Sequence, residues 1–347
     1  MAETPTTRKD DVLALISARK EDDACLTFTY GSESRLQDGA RTEVTLPLGH
    51  KLTVDEENSM PGGKDSGVNA CEVFACSLGT CQEITYKLYA TVMEVPLKSV
   101  SATVTGDIDL RGFVGVGDSK VGMEEVSVDI ALDAPDASDE QLQALKGAVD
   151  AHCPLVETIR NPLQIETIFK KVEPKAAKAV DAELKDGILA RIAASKDDEN
   201  ALKRKYTSTS KLAGPGLRTD VKIRHHNVIV DEPQMFPGGS NKGPNPLDLL
   251  CASLSASCLV ACKYHATVMD IDCQSMTCKV EAPIDLGGLV GVAENAVGMK
   301  SMKAIIEIES SATQEQLEEL KQKVDKHCPL LQTLTNDTKV TLNMSRA

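Results

Sequence analysis

Tryptophan is absent from the 347-residue chain, and tyrosine and phenylalanine supply only five residues each. The interior must therefore be filled by aliphatic side chains and sulfur, for which a hydrophobic content of 41% is ample. No C-x2-C pair occurs among the eleven cysteines; the closest spacing is Cys258 to Cys262, followed by spacings of five such as Cys273 to Cys278. Structural zinc sites use such pairs, so no metal and no cofactor is expected. Basic charge is also scarce, with 38 Lys and Arg against 52 Asp and Glu, net −14. Such a surface repels phosphate backbones and anionic lipid, so neither nucleic acid nor membrane is expected as a partner. No apolar run approaches the ~20 residues of a membrane span. The opening Met1 to Asp11 is polar and carries Glu3, Asp10 and Asp11. It lacks an apolar leader and the composition of a mitochondrial presequence. With the odd cysteine count, this predicts a cytoplasmic chain rather than a secreted disulfide scaffold.

What the chain does contain, it contains twice. Ala90-Thr-Val-Met93 recurs as Ala266-Thr-Val-Met269, and His152-Cys-Pro-Leu155 as His327-Cys-Pro-Leu330. Val54-Asp-Glu56 returns as Val230-Asp-Glu232, Pro61-Gly-Gly63 as Pro237-Gly-Gly239, and Val121-Gly-Met123 as Val297-Gly-Met299. Order is preserved at an offset of 175 or 176 residues. A period of this length makes each copy a domain rather than a solenoid repeat, with expected bounds 1–173 and 174–347. The joining stretch Lys170 to Asp186 runs into a helical pattern over Glu183–Ala194, which leaves little linker and favours packing of the copies on each other. Residues 1–173 carry 16 bases and 30 acids, whereas 174–347 carry 22 of each.

Within copy one, Cys25–Tyr30 and Thr42–Leu46 alternate like strands. A proline-free helix is predicted from about Ala70 to Met93. Its apolar and small residues nearly encircle it, so it is buried on most sides. Val100–Leu110 and Glu125–Leu132 read as strands. Ser138 with Gln141 forms a capping box for a helix ending near His152, and Pro154 opens a short helix over Leu155–Ile159. Helices segregated from antiparallel strands give an α+β class.

Two cysteines of copy one stand out. Cys81 lies on the buried helix, and Cys153 sits at the helix break His152-Cys153-Pro154. A thiol at a helix N-terminus gains thiolate character from the helix dipole. Against this stand plainer readings: Cys81 as a small core hydrophobe, Cys153 as a helix-ending residue, and His152 as a solvent-facing histidine.

Gly62-Gly-Lys-Asp-Ser-Gly-Val-Asn69, then Glu72, Ser77-Leu-Gly-Thr-Cys-Gln-Glu83, Gly106-Asp-Ile-Asp-Leu110 and Cys153-Pro154 together resemble the osmotically induced/organic hydroperoxide resistance (OsmC/Ohr) family. The resemblance covers nearly all of both copies. It implies an intertwined α+β dimer, here a pseudo-dimer of tandem copies within one chain. It also implies thiol-dependent reduction of organic hydroperoxides or hydrogen peroxide, with a dithiol of lipoyl or thioredoxin type as reductant. By position, the family's reactive cysteine falls on Cys81 and its partner on Cys153, which implies a Cys81 sulfenic acid and a Cys81–Cys153 disulfide. The family's thiolate-holding arginine and glutamate fall on Arg41, or Arg218 from the other copy, and on Glu72. The best-studied members place the acid one residue earlier, where this chain has Cys71. In copy two the reactive position is Ser257, and Cys258 is turned ~100° from it around the helix. Copy two is then inactive in this chemistry or works through displaced cysteines. The alternatives to a peroxidase are a non-catalytic binding scaffold and a stoichiometric thiol redox sensor.

Overall fold

The computed structural model describes residues 6–22, 24–117, 119–176, 179–198, 200–292 and 297–347. The first five residues of the polar opening and residues 177–178 of the joining stretch lie outside the described residues. The first copy runs α1 (Lys9–Glu21), β1 (Thr27–Leu36), β2 (Thr42–Thr45), β3 (Lys51–Val54), α2 (Ala70–Val92), β4 (Ser99–Asp109), β5 (Met123–Asp133), α3 (Asp139–His152), α4 (Pro154–Arg160) and β6 (Gln164–Val172). The second repeats this order as α5 (Ala182–Asp197), β7 (Lys203–Ala213), β8 (Thr219–Ile223), β9 (His226–Val230), α6 (Pro246–Val268), β10 (Ser275–Asp285), β11 (Ser301–Glu309), α7 (Gln314–His327), α8 (Pro329–Thr335) and β12 (Lys339–Arg346).

The strands form two six-stranded sheets, ordered β3-β2-β1-β10-β11-β6 and β12-β5-β4-β7-β8-β9. Each sheet is therefore shared between the copies. β1 pairs antiparallel with β10, from Thr27↔Asp285 to Arg35↔Thr277, and β4 pairs likewise with β7. β6 joins β11 and β12 joins β5 in parallel, so both sheets are mixed at one edge rather than purely antiparallel. Helix α6 lies on β1 and β10, α2 lies on β4 and β7, and the two helices pack against each other. Both are thus sandwiched between the sheets, which explains why neither has a polar face. The molecule is an α+β pseudo-dimer within one chain. Contrary to expectation, α6 is long and apolar enough to cross a bilayer, yet its most apolar window is 94% buried inside the protein.

Local chemistry fixes the ends of these elements. Asn69 caps α2 by accepting from the Glu72 N–H at 3.0 Å, while Glu72 accepts the Asn69 N–H at 2.9 Å. The capping box of Ser138 and Gln141 opens α3, and Pro154 opens α4 directly after the break at Cys153. Two sequence expectations needed the partner copy to come out fully. The strand predicted for Cys25–Tyr30 extends to Leu36 through Gly31. A Cβ at Gly31 would lie 2.6 Å from the Val280 carbonyl oxygen, so this glycine permits a close seam with β10 rather than ending the strand. β6 occupies the start of the expected joining stretch because β11 of the other copy supplies its partner.

Candidate active site

Contacts of α2 with α3 and α4 bring Cys153 onto the helix that carries Cys81. Their Sγ atoms lie 3.5 Å apart and are hydrogen-bonded. Cys81 is 6% exposed and Cys153 1%, so Cys81 is the more accessible of the pair. Each thiol shifts the ionisation of the other. The hydrogen bond to Cys153, with burial, pushes the Cys81 thiol up. Burial also opposes the Cys153 thiolate, but Cys81, the backbone N–H groups of Val156 and Leu155, and the Gln82 amide outweigh it and bring Cys153 down to about 7. One negative charge is thus readily held on the two sulfurs, and a second is not.

The second copy completes the surroundings. Asp231 folds the loop after β9 by accepting N–H bonds from Glu232, Ser240 and Lys242. Asp55 does the same in copy one for Lys64 and Ser66. Gly239 is obligatory there, because a Cβ would meet the Pro233 carbonyl oxygen at 2.2 Å. This loop buries Glu232 near Cys81 and Tyr30. Burial, reinforced by Asp248 and Asp231, raises the Glu232 carboxyl to about 8. Burial likewise raises Asp248, at the start of α6, to about 6, despite its hydrogen bond from the Gly31 N–H at 3.1 Å. Glu232 went unrecognised as a site residue in the sequence, although the repeated Val-Asp-Glu was its signal.

The expected charged partners are not where the resemblance put them. Arg41 pairs with Glu43 at 2.9 Å in its own hairpin, and Arg218 pairs with Asp220 at 2.7 Å; Arg218 is exposed and Arg41 half-buried. Glu72 is buried, but it precedes Cys81 by nine residues on α2. That places it ~13.5 Å away along the axis and on the opposite face. It is held instead by Arg224 of the β8–β9 turn, with Nε to Oε1 at 2.6 Å and Nη2 to Oε2 at 2.8 Å. Arg224 also binds Asp65. Glu72 and Arg224 therefore belong to the other end of α2, beside Glu56 and Cys71, on the side of Cys328. The signal for Arg224 was faint: it occupies a left-handed turn (φ 51°) where the matching residue of copy one is Leu48 (φ 61°).

In copy two, Ser257 Oγ lies 3.3 Å from Cys328 Sγ, which matches the Cys81–Cys153 arrangement with oxygen in place of one sulfur. Cys258 was expected to face away, yet its Sγ is 3.9 Å from that of Cys328. Cys328 sits at a helix junction wide enough to touch two successive positions of α6, as Cys153 touches both Cys81 and Gln82. His152 is not solvent-facing either. It stacks on Tyr89 with ring centroids 5.3 Å apart, and its Nδ1 meets the Gly288 carbonyl at 2.8 Å. Beside it, an apolar cavity of about 170 Å³ is lined by Leu15, Ile16, Leu88, Tyr89, Phe236 and Leu289, from both copies. At the position matching Leu289, copy one has Phe113, whose ring packs 5.3 Å from Tyr264.

A family model described as OsmC-like protein matches residues 63–168 and 239–343. The chain belongs to the OsmC-like family. The two matched segments of this OsmC-like chain carry both copies of α2 or α6 and both Cys-Pro junctions. A crystal structure of an OsmC-like protein from Mycoplasma pneumoniae is similar at 20% identity, over 42% of this chain and 98% of that one, with a TM-score of 0.34. No curated protein matches the chain.

Proposed function

We propose that the chain is a thiol-dependent peroxidase that reduces organic hydroperoxides, with Cys81 as nucleophile and Cys153 as its resolving partner. The observation that carries this reading is the 3.5 Å approach of two sulfurs at a buried seam between the copies. Cys81 attacks because it is the more exposed sulfur, and its proton passes across the 3.5 Å contact to the Cys153 thiolate as it does so. The thiolate takes the distal oxygen of the hydroperoxide, the O–O bond breaks, and the alcohol leaves with a proton. Glu232, held protonated at neutral pH, is a proton source at this interface. Cys153 then attacks the Cys81 sulfenic acid, water leaves, and a disulfide forms. Closing from 3.5 Å to the ~2.05 Å of an S–S bond takes only a local shift. A cellular dithiol of lipoyl or thioredoxin type returns both thiols by exchange. The apolar cavity beside His152, which begins at Leu88 ~10.5 Å along α2 from Cys81, offers room for the hydrocarbon end of a substrate.

The test is hydroperoxide consumption with cumene hydroperoxide and dihydrolipoamide or dithiothreitol. Cys81→Ser should abolish turnover, and Cys153→Ser should leave a sulfenic acid on Cys81 that dimedone traps. Unchanged consumption by Cys81→Ser, or no turnover by the native chain with any dithiol, would overturn the reading.

A further inference from the structure

Copy two has lost the reactive cysteine position but not its sulfur chemistry. Cys328 keeps the junction between α7 and α8, and Cys258 lies 3.9 Å from it, one residue beyond Ser257. The matching residue in copy one is Gln82, which sits beside Cys153 in the same way. A thiol thus stands in copy two where copy one has an amide. Cys278 of β10 also borders Cys258 and helps to raise its thiol. All three sulfur-bearing residues are fully buried, while Ser257 is 5% exposed. Ser257 Oγ lies 3.3 Å from Cys328 Sγ, so Cys328 is the sulfur next to the more open position.

We infer that Cys258 and Cys328 form a second redox dithiol, which hydroperoxide converts to a disulfide independently of Cys81. The inference shares its oxidant class with the peroxidase reading but uses none of that reading's residues. Cys328 thiolate attacks the distal oxygen, the O–O bond breaks, and the alkoxide leaves as the alcohol after taking up one proton. Cys258 then attacks the Cys328 sulfenic acid, and water carries away the hydroxyl with the Cys258 proton. Two thiols lose two electrons in total, and one hydroperoxide becomes an alcohol and water. Burial of both thiols makes this oxidation slower than that of copy one, with a stoichiometric rather than a rapid cycle.

The experiment is peptide mapping without reduction of the full chain, native and Cys81→Ser, after excess cumene hydroperoxide or hydrogen peroxide and alkylation in denaturant. Cys81→Ser places in copy one the residue that copy two already accommodates at Ser257. The expected result is a Cys258–Cys328 linked peptide in both proteins, with both thiols lost from alkylation. Cys258→Ala should remove this link and leave Cys328 trappable by dimedone. Recovery of both cysteines as alkylated thiols would overturn the inference, as would linkage of Cys258 to Cys278 instead. In the native chain, a Cys258–Cys328 link without any Cys81–Cys153 link would uphold it while sinking the peroxidase reading.

Discussion

Cys81 and Ser257 occupy matching places on two helices, each with a Cys-Pro junction within reach, so the exchange of one sulfur for oxygen separates the two sites. The charged residues are divided the other way. The pair Glu72–Arg224 lies on the Cys328 side, whereas Cys81 has the Glu232 carboxyl near it, with Asp248 beside Glu232. Arg41→Ala and Arg218→Ala should leave peroxide consumption unchanged, because each arginine spends its charge on a neighbouring acid of its own hairpin. A large loss of turnover in either variant would contradict that placement. Glu232 makes a sharper case. Its pKa of about 8 in the folded chain exceeds the ordinary carboxylate value of ~4.3, so the folded state keeps a proton that the unfolded chain has released. Stability from this group is therefore full below about pH 4 and is lost as pH rises to about 8. Glu232→Gln should flatten the decline of Tm across that window, and an unaltered Tm–pH profile would show that the carboxyl carries no such proton.

At the scale of elements, the β1–β10 and β4–β7 seams and the α2–α6 contact hold the site together. Gly31→Ala would drive a methyl against the Val280 carbonyl and part the β1–β10 seam. Urea unfolding should report a loss of about 1–3 kcal/mol, as for other overpacked positions. Removing the guanidinium in Arg224→Ala leaves Glu72 buried and unpaired at the start of α2. Breaking such a pair typically costs ~3–5 kcal/mol, and about 3 is expected here because Arg224 is partly exposed. Glu72→Gln should be milder, since the amide keeps a capping acceptor for the Asn69 N–H. Most elements were legible from periodicity and capping: α2 from its all-round apolar pattern, α3 from Ser138 and Gln141, α4 from Pro154. β1 beyond Gly31 and β6 were not, because their pairing partners come from the other copy.

For the whole molecule, the shared sheets mean that neither copy can satisfy its own strands. Residues 1–173 alone would leave β1, β4, β5 and β6 without their partners β10, β7, β12 and β11, and α2 without the cover of α6. Expressed by itself this segment should dimerise or aggregate, which light scattering behind size exclusion would reveal. A folded monomer there would contradict the account of the seams. The full chain should unfold in one cooperative transition, because every layer of the core contains both copies.

The sequence by itself determined the duplication, the α+β class, the buried helices and the two sulfur positions, since these rest on repeated motifs, local periodicity and caps. Tertiary structure alone decided which charges stand near which sulfur. Arg224 reaches Glu72, Glu232 reaches the Cys81 site and Cys258 reaches Cys328 only because the copies interleave. Distances along a chain say nothing about which face of one copy meets the other.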